Sequence, residues 1–189
     1  MIEALLTSTA VVALAEIGDK TMLLAIVLAA RLRAPWAILA GILVATIANH
    51  ALAALVGTEV AGLLEAKWFR IAVALGFIAM AGWTLVPDKL DDVNHAVRSH
   101  GSAFLTTVVS FFLVEMGDKT QVATVALAAH YHLVLVVAAG TTLGMMLVNG
   151  PAVFLGEAIV QQISLRATRA IAAALFLALG LWQLVSVLG

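Results

Sequence analysis

The sequence predicts an all-α polytopic membrane protein whose six transmembrane helices form a 3+3 inverted-topology repeat. Three observations support this prediction. Of the 189 residues, 63% are hydrophobic and only 11% are charged, which is far from the composition of soluble globular domains. Long apolar runs recur along the chain, each close to the ~20 residues that cross a bilayer as a helix. A short charged motif occurs twice, at equivalent places in the two halves of the chain.

The apolar runs predict where the six helices lie. Backbone groups in lipid must be hydrogen-bonded within their own segment, so a helix is the simplest structure for each run. The alternating ten-residue pattern of a membrane barrel is absent. The predicted spans are residues 4–30, 36–56, 68–86, 103–129, 133–155 and 170–188. They fill nearly the whole chain, so we expect one integral membrane domain and no separate soluble domain.

Net charge and cysteine content exclude several functions. The formal net charge is −1, which argues against nucleic acid as a partner. The chain contains no cysteine, so disulfides, thiolate zinc sites and cysteine nucleophiles are excluded. The expected partners are the lipid bilayer and the ions that cross it.

The chain is a duplication of a three-helix unit. The segment AEIGDKT at 15–21 recurs as VEMGDKT at 114–120, an offset of 99 residues. The same offset relates further residues, among them Gly41 and Gly140, and Trp83 and Trp182. The predicted units are a first three-helix repeat, a connector and a second three-helix repeat, at residues 1–86, 87–101 and 102–189.

Loop charges predict the orientation of these units. Each unit has an odd number of spans, so the second enters the membrane from the opposite side, as in many secondary transporters. Basic residues favour the cytoplasmic side. One side carries six of them, and the other carries Lys67 and Arg70. The six are Arg31, Arg33, Lys89, Arg98, Arg166 and Arg169. We predict a cytoplasmic connector and both termini outside.

Six charged residues stand inside the first and fourth predicted spans: Glu16, Asp19, Lys20, Glu115, Asp118 and Lys119. An ionisable residue near the centre of a membrane helix costs roughly 2.5–3.5 kcal/mol, so the six would cost roughly 15–20 kcal/mol if they faced lipid. That exceeds the ~5–15 kcal/mol stability of a typical domain. These side chains must therefore face one another, a water-filled cavity or a bound ion.

Motif spacing and charge indicate one shared ion site. In a continuous helix Glu16, Asp19 and Lys20 lie on one face, whereas Gly18 permits a close helix approach or a break that frees backbone carbonyls. With carboxylates ionised and lysines protonated, the two motifs together carry two negative charges. One divalent cation or two protons neutralise them, and a site that holds either but not both can exchange one for the other. The structural alternative is an ion pair between the Glu and the Lys of each motif, which leaves both aspartates unpaired.

We predict Glu16, Asp19, Glu115 and Asp118 as the metal ligands. Carboxylate, hydroxyl and carbonyl oxygens suit magnesium, calcium and manganese better than copper or zinc. The predicted supporting residues, all within or beside the motifs, are Gly18, Lys20, Thr21, Gly117, Lys119, Thr120 and Gln121. Three further polar residues could line the ion pathway or simply hydrogen-bond in the interior: Asn49, His50 and Asn149.

The doubled motif E-x-G-D-(K/R)-(S/T), EIGDKT at 16–21 and EMGDKT at 115–120, resembles that of the small manganese or calcium/proton exchangers of bacterial membranes, Golgi and chloroplasts. The resemblance covers the whole chain. It implies a secondary active transporter, not an enzyme, with the two Glu and two Asp as essential ligands. It also implies manganese export from the cytosol through a bacterial inner membrane. The metal is then the transported ion, with manganese ahead of calcium, and no prosthetic group is expected.

Two other functions are compatible with the residues. Two aspartates beside glycines in membrane helices are also typical of intramembrane aspartyl hydrolases, in which a shared proton lets the pair act as acid and base. Such a pair does not require a glutamate three residues before each aspartate or a lysine after it. A channel, or a transporter of another small solute, is the other alternative. The sequence leaves the oligomeric state open.

Overall fold

The computed structural model describes residues 1–60, 62, 66–86, 100–156 and 165–188. Within these residues the chain forms eight α-helices and no β-strand: α1 (Ile2–Glu16), α2 (Lys20–Leu32), α3 (Pro35–Val60), α4 (Lys67–Thr84), α5 (Ala103–Glu115), α6 (Lys119–Tyr131), α7 (Val134–Leu155) and α8 (Leu165–Leu188). Helices α2 and α6 begin 99 residues apart, as do α3 and α7. Most of the predicted connector lies outside the described residues.

Three helices in the described part of the chain are long and apolar enough to cross a membrane by themselves. They are α3, α7 and residues 166–188 of α8. Each is more than 20 residues long, which matches the thickness of a hydrocarbon core. The described part of the chain is therefore all-helical and carries three segments that are long and apolar enough to span a membrane.

The first and fourth predicted spans are interrupted at the motifs. The first consists of α1 and α2, which are separated at residues 17–19, and the fourth consists of α5 and α6. Gly18 and Gly117 adopt φ angles of 80° and 79°, a left-handed conformation that glycine reaches without the clash a Cβ would cause. Of the two possibilities that the glycines left open, a close helix approach and a break, the structure shows the break.

The two halves of the chain interlock through glycine contacts. A Cβ on Gly41 of α3 would lie 2.7 Å from the Cβ of Thr107 in α5. The equivalent Gly140 of α7 would place a Cβ 2.7 Å from the carbonyl oxygen of Leu5 in α1. Helix α3 thus packs against the second half and α7 against the first, and these contacts bring both long helices beside the motifs.

Two apolar cores flank the motifs. One joins α2, α3, α5 and α7, and the other joins α1, α3, α4, α6, α7 and α8. Along the chain, the first motif stands between Ala15 of the second core and Met22 of the first core. The second motif stands between Phe111 of the first core and Ala123 of the second core. The charged residues therefore occupy the junction between two apolar cores.

Candidate metal and proton site

The helix breaks place each acidic side chain at a helix end. Glu16 and Glu115 are the last residues of α1 and α5, and Asp19 and Asp118 directly precede α2 and α6. All four side chains are buried, with at most 2% of any residue exposed. Neither aspartate caps its helix with its side chain, so both carboxylates are directed elsewhere, while the positive end of the helix dipole still favours their charge.

Ion pairs cross between the two halves. Lys20 Nζ lies 3.0 Å from Asp118 Oδ1, and Lys119 pairs with Asp19 Oδ1. Each lysine thus contacts the aspartate of the other motif. These ion pairs join a lysine to an aspartate of the other half, unlike the Glu–Lys pairs within each motif of the structural alternative.

The glutamates contact polar residues of the long helices. Glu115 Oε1 accepts a hydrogen bond from Thr120 Oγ1 at 2.7 Å and lies 3.2 Å from His50 Nε2. Glu16 Oε1 accepts one from Asn149 Nδ2 at 3.2 Å. His50 and Asn149 are themselves 99 residues apart, so each half supplies one polar residue to the glutamate of the other half.

That correspondence is visible in the sequence as an offset of 99 residues, but sequence reasoning alone groups Asn149 with Asn49 and His50. The structure separates the three. Asn49 donates from Nδ2 to the backbone oxygen of Phe112 at 3.1 Å, so it ties α3 to α5. Asn49 therefore holds two helices together, whereas His50 and Asn149 contact the motif glutamates.

Several buried oxygens in this region have no hydrogen-bond partner among the described residues. They are Glu16 Oε2, Glu115 Oε2, Asp118 Oδ2, Thr21 Oγ1 and Asn149 Oδ1. An unsatisfied buried acceptor costs about 1–3 kcal/mol, and more when it is charged. Hard divalent cations are bound by oxygens of this kind. The donor set therefore fits a divalent cation as cargo.

The carboxylates are near one another without forming a closed cage. Glu16 lies within electrostatic range of Glu115, Asp118 and Lys119. No three His, Cys, Asp or Glu side chains in the described ranges are grouped closely enough to hold an ion in this arrangement. Each aspartate forms an ion pair with a lysine, so an ion that binds all four acids must displace both lysines.

The two motifs differ at their breaks. Gln121 Oε1 accepts a hydrogen bond from the Gly117 backbone N–H at 2.6 Å, so this predicted supporting residue stabilises the second break directly. The first half has Met22 at the equivalent position, packed in an apolar core. Gly117 is exposed and Gly18 is buried. The environments of the two breaks are therefore unequal.

A cavity of about 320 Å³ lies apart from the motifs, between α1, α4, α6 and α8. Its lining includes Arg70, His130 and Trp182, and the rings of His130 and Trp182 are 6.0 Å apart. Arg70 reaches the backbone oxygen of Ser186 at 3.4 Å. No motif residue lines this cavity, so it is separate from the carboxylate cluster.

Comparison with known proteins agrees with this chemistry. The family described as "Divalent cation/proton antiporter GDT1" matches residues 4–92 and 103–189, which include both motifs. A Vibrio cholerae serotype O1 protein described as "Putative manganese exporter" is 44% identical over 96% of this chain and 90% of its own length. "GDT1-like protein 3" of Oryza sativa subsp. indica is 28% identical over 94% of this chain and 72% of its own length.

A protein of the same description from Arabidopsis thaliana is 27% identical over 93% of this chain and 68% of its own length. No solved structure matches the chain. The family match covers well over half of the sequence and both copies of the motif. The chain therefore belongs to the GDT1 family of divalent cation/proton antiporters.

Proposed function

We propose that this cation transporter exchanges manganese, and secondarily calcium, for protons, and that it exports manganese from the cytosol across a bacterial inner membrane. Membership of a family of divalent cation/proton antiporters supports the exchange. The Vibrio cholerae relative described as a manganese exporter supports the ion and the direction. The protein is a transporter and not an enzyme, and manganese is its cargo.

The observation that carries the proposal is the crossed pairing of Lys20 with Asp118 and of Lys119 with Asp19. Four buried carboxylates share two lysines, so the cluster has two uncompensated negative charges when all six groups are ionised. A divalent cation or two protons balance that charge. Occupation by one excludes the other, because either alone completes the neutralisation that burial demands.

The crossed pairs also argue against an aspartyl hydrolase. In that chemistry the two aspartates share a proton and must face each other. Here each aspartate contacts a lysine of the opposite half. Together with the transporter family match, this makes the hydrolase interpretation wrong.

The proposed architecture is a six-span inverted repeat, with units 1–86 and 102–189, a cytoplasmic connector and both termini outside. The equal spacing of helix starts and the reciprocal glycine contacts support it. In this arrangement the first and fourth spans are discontinuous, and their half-helix ends carry the acids near the midplane. Broken helices at the repeat interface are the usual place for an ion site in secondary transporters.

The proposal can be tested in proteoliposomes that contain a pH-sensitive dye. Manganese added outside should make the lumen more alkaline as protons leave in exchange, and calcium should do so more weakly. If the luminal pH did not change with any divalent cation, the exchanger proposal would be overturned. Asp19→Asn and Asp118→Asn should reduce the initial rate to background. Glu59→Gln is the matched control, because Glu59 is exposed on α3, and it should keep the wild-type rate. Transport that survived in the double Asp→Asn variant would overturn the ligand assignment.

A further inference from the structure

The two glutamates differ in one partner. Each motif has the same Glu, Gly, Asp, Lys and Thr residues, yet Glu115 meets the imidazole of His50 and Glu16 meets the amide of Asn149. These partners occupy the same place in the two halves, 99 residues apart. The site is therefore chemically asymmetric at its two ends, with a nitrogen heterocycle at one end and a carboxamide at the other.

His50 is positioned to bind the same ion as Glu115. Its residue is fully buried, and Nε2 lies 3.2 Å from Glu115 Oε1. Two donor atoms that bind one ion side by side at ~2.2 Å are about 3 Å apart. Nδ1 has no hydrogen-bond partner among the described residues. No second bond therefore fixes the tautomer, and Nε2 can either donate to the carboxylate or direct its lone pair at an ion.

At the opposite end of the site, Asn149 presents its carboxamide to Glu16. Its Nδ2 is directed at Glu16, at Met145 O and at Met145 Sδ, the last at 2.8 Å. Its Oδ1 has no partner within the described part of the chain. Rotation of the amide, which gives up the Nδ2 contacts with Met145, turns that oxygen toward an ion beside Glu16.

We propose that His50 is a ligand of the transported ion and makes the site prefer first-row transition-metal dications, manganese among them, over calcium and magnesium. This inference rests on the proposed cation transport. Imidazole nitrogen binds transition metals well, whereas calcium and magnesium are bound almost wholly by oxygen. His50 thus adds a discrimination that four carboxylates alone do not provide, and it acts on the Glu115 end of the site.

The chain supplies matched variants for the test. His50→Asn makes both ends alike, Asn149→His makes the opposite end imidazole-bearing, and the double variant exchanges the two partners. We expect His50→Asn to lower the ratio of manganese to calcium transport roughly tenfold, by analogy with the loss of a metal-site residue. The double variant should restore most of the ratio. An unchanged ratio in His50→Asn would overturn the proposal.

A spectroscopic measurement tests ligation independently of transport. Detergent-solubilised wild-type protein with bound Mn²⁺ should show ¹⁴N modulation in pulsed electron paramagnetic resonance, and His50→Asn should lose it. Modulation that persisted in His50→Asn, or its absence in the wild type, would reject His50 as a ligand. If wild-type proteoliposomes exchanged no divalent cation while the ¹⁴N signal was present, the proposed function would fail but the His50 assignment would stand. Should His50→Asn not insert, His50→Gln supplies the same comparison.

Discussion

Lys119 of the second half forms an ion pair with Asp19 of the first half, and the reciprocal pair joins Lys20 to Asp118 across 3.0 Å. The two pairs are not equivalent in their surroundings. The Lys119 side chain is 5% exposed, whereas that of Lys20 is 27% exposed. Water can therefore reach one pair more easily than the other.

Replacement of Lys119 should destabilise the protein more than replacement of Lys20. Lys119→Met removes the ion pair with the buried Asp19, and the loss of one member of a buried pair costs on the order of 3–5 kcal/mol. Lys20→Met should cost less, because water partly solvates that pair. Thermal unfolding in detergent measures both. Lys67→Met, at an exposed position, is the control and should be neutral. Equal unfolding midpoints for Lys119→Met and the wild type would contradict the prediction. The double variant with Asp19→Asn added should recover part of the lost stability.

Gly117→Ala should impair transport through the backbone alone. Gly117 has a φ of 79°, and a Cβ added to it would have no atom within 4 Å, so the new methyl group meets no neighbour. The cost comes from the left-handed conformation, roughly 1–2 kcal/mol for a residue with a Cβ, and relief of that strain would move Glu115 and Asp118. Flux and unfolding should both be measured.

Gly82→Ala is the control for this prediction. Gly82 also has open space around its Cβ position, but it lies in α4 with ordinary helical geometry, so alanine should stabilise the helix by up to about 1 kcal/mol. The unfolding midpoint is expected to fall in Gly117→Ala and to rise in Gly82→Ala. If both changes had the same sign, the break at Gly117 would not depend on glycine.

Gly41→Ala and Gly140→Ala should separate the interlocked halves. Each added Cβ would lie 2.7 Å from an atom of the facing helix, and for Gly140 that atom is the backbone oxygen of Leu5. Backbone cannot rotate away, so overpacking of about 1–3 kcal/mol is expected. Unfolding midpoints in detergent measure the effect. Gly76→Ala, which meets nothing within 4 Å, should not lower the midpoint; an equal loss there would remove the packing explanation.

The equivalent threonines should respond differently to valine. Thr120 donates a 2.7 Å hydrogen bond to Glu115, and a bond to a charged group contributes about 1.5–3 kcal/mol. Thr21 Oγ1 is buried without a partner among the described residues, so loss of its hydroxyl removes no such bond. Thr120→Val should lower the unfolding midpoint and Thr21→Val should leave it unchanged or raise it. Equal losses would show that the two hydroxyls have the same role.

The membrane class could be predicted from the sequence because the cost of polar groups in lipid leaves long apolar runs in the chain. The long helices α3 and α7 lie close to their predicted spans for this reason. The breaks at Gly18 and Gly117 could not be decided in the same way. Glycine is compatible with both a continuous helix and a left-handed turn, and only the packing around each motif selects the turn.

The candidate ligands could also be predicted from the sequence, because six charged residues in apolar runs require partners. Which lysine pairs with which carboxylate could not be predicted from the sequence. Spacing within a helix allowed a Glu16–Lys20 pair as the structural alternative, whereas the folded chain pairs Lys20 with Asp118. The contact of His50 with Glu115 joins residues 65 positions apart, and a local sequence pattern does not predict a contact between residues so far apart in the chain.

By itself, the sequence determined that this protein resides in a bilayer, that it carries the same charged motif twice, 99 residues apart, and that its acidic residues cannot face lipid. The first and last of these conclusions follow from the free energy of placing a residue in hydrocarbon, which depends mainly on residue type, whereas the repeat follows directly from the order of the residues. The tertiary structure alone decided which lysine meets which aspartate and which polar residue meets each glutamate. Those choices depend on two left-handed glycines and on two tight helix contacts, because short-range electrostatics and hydrogen bonds act only between groups that packing has already brought within a few ångströms.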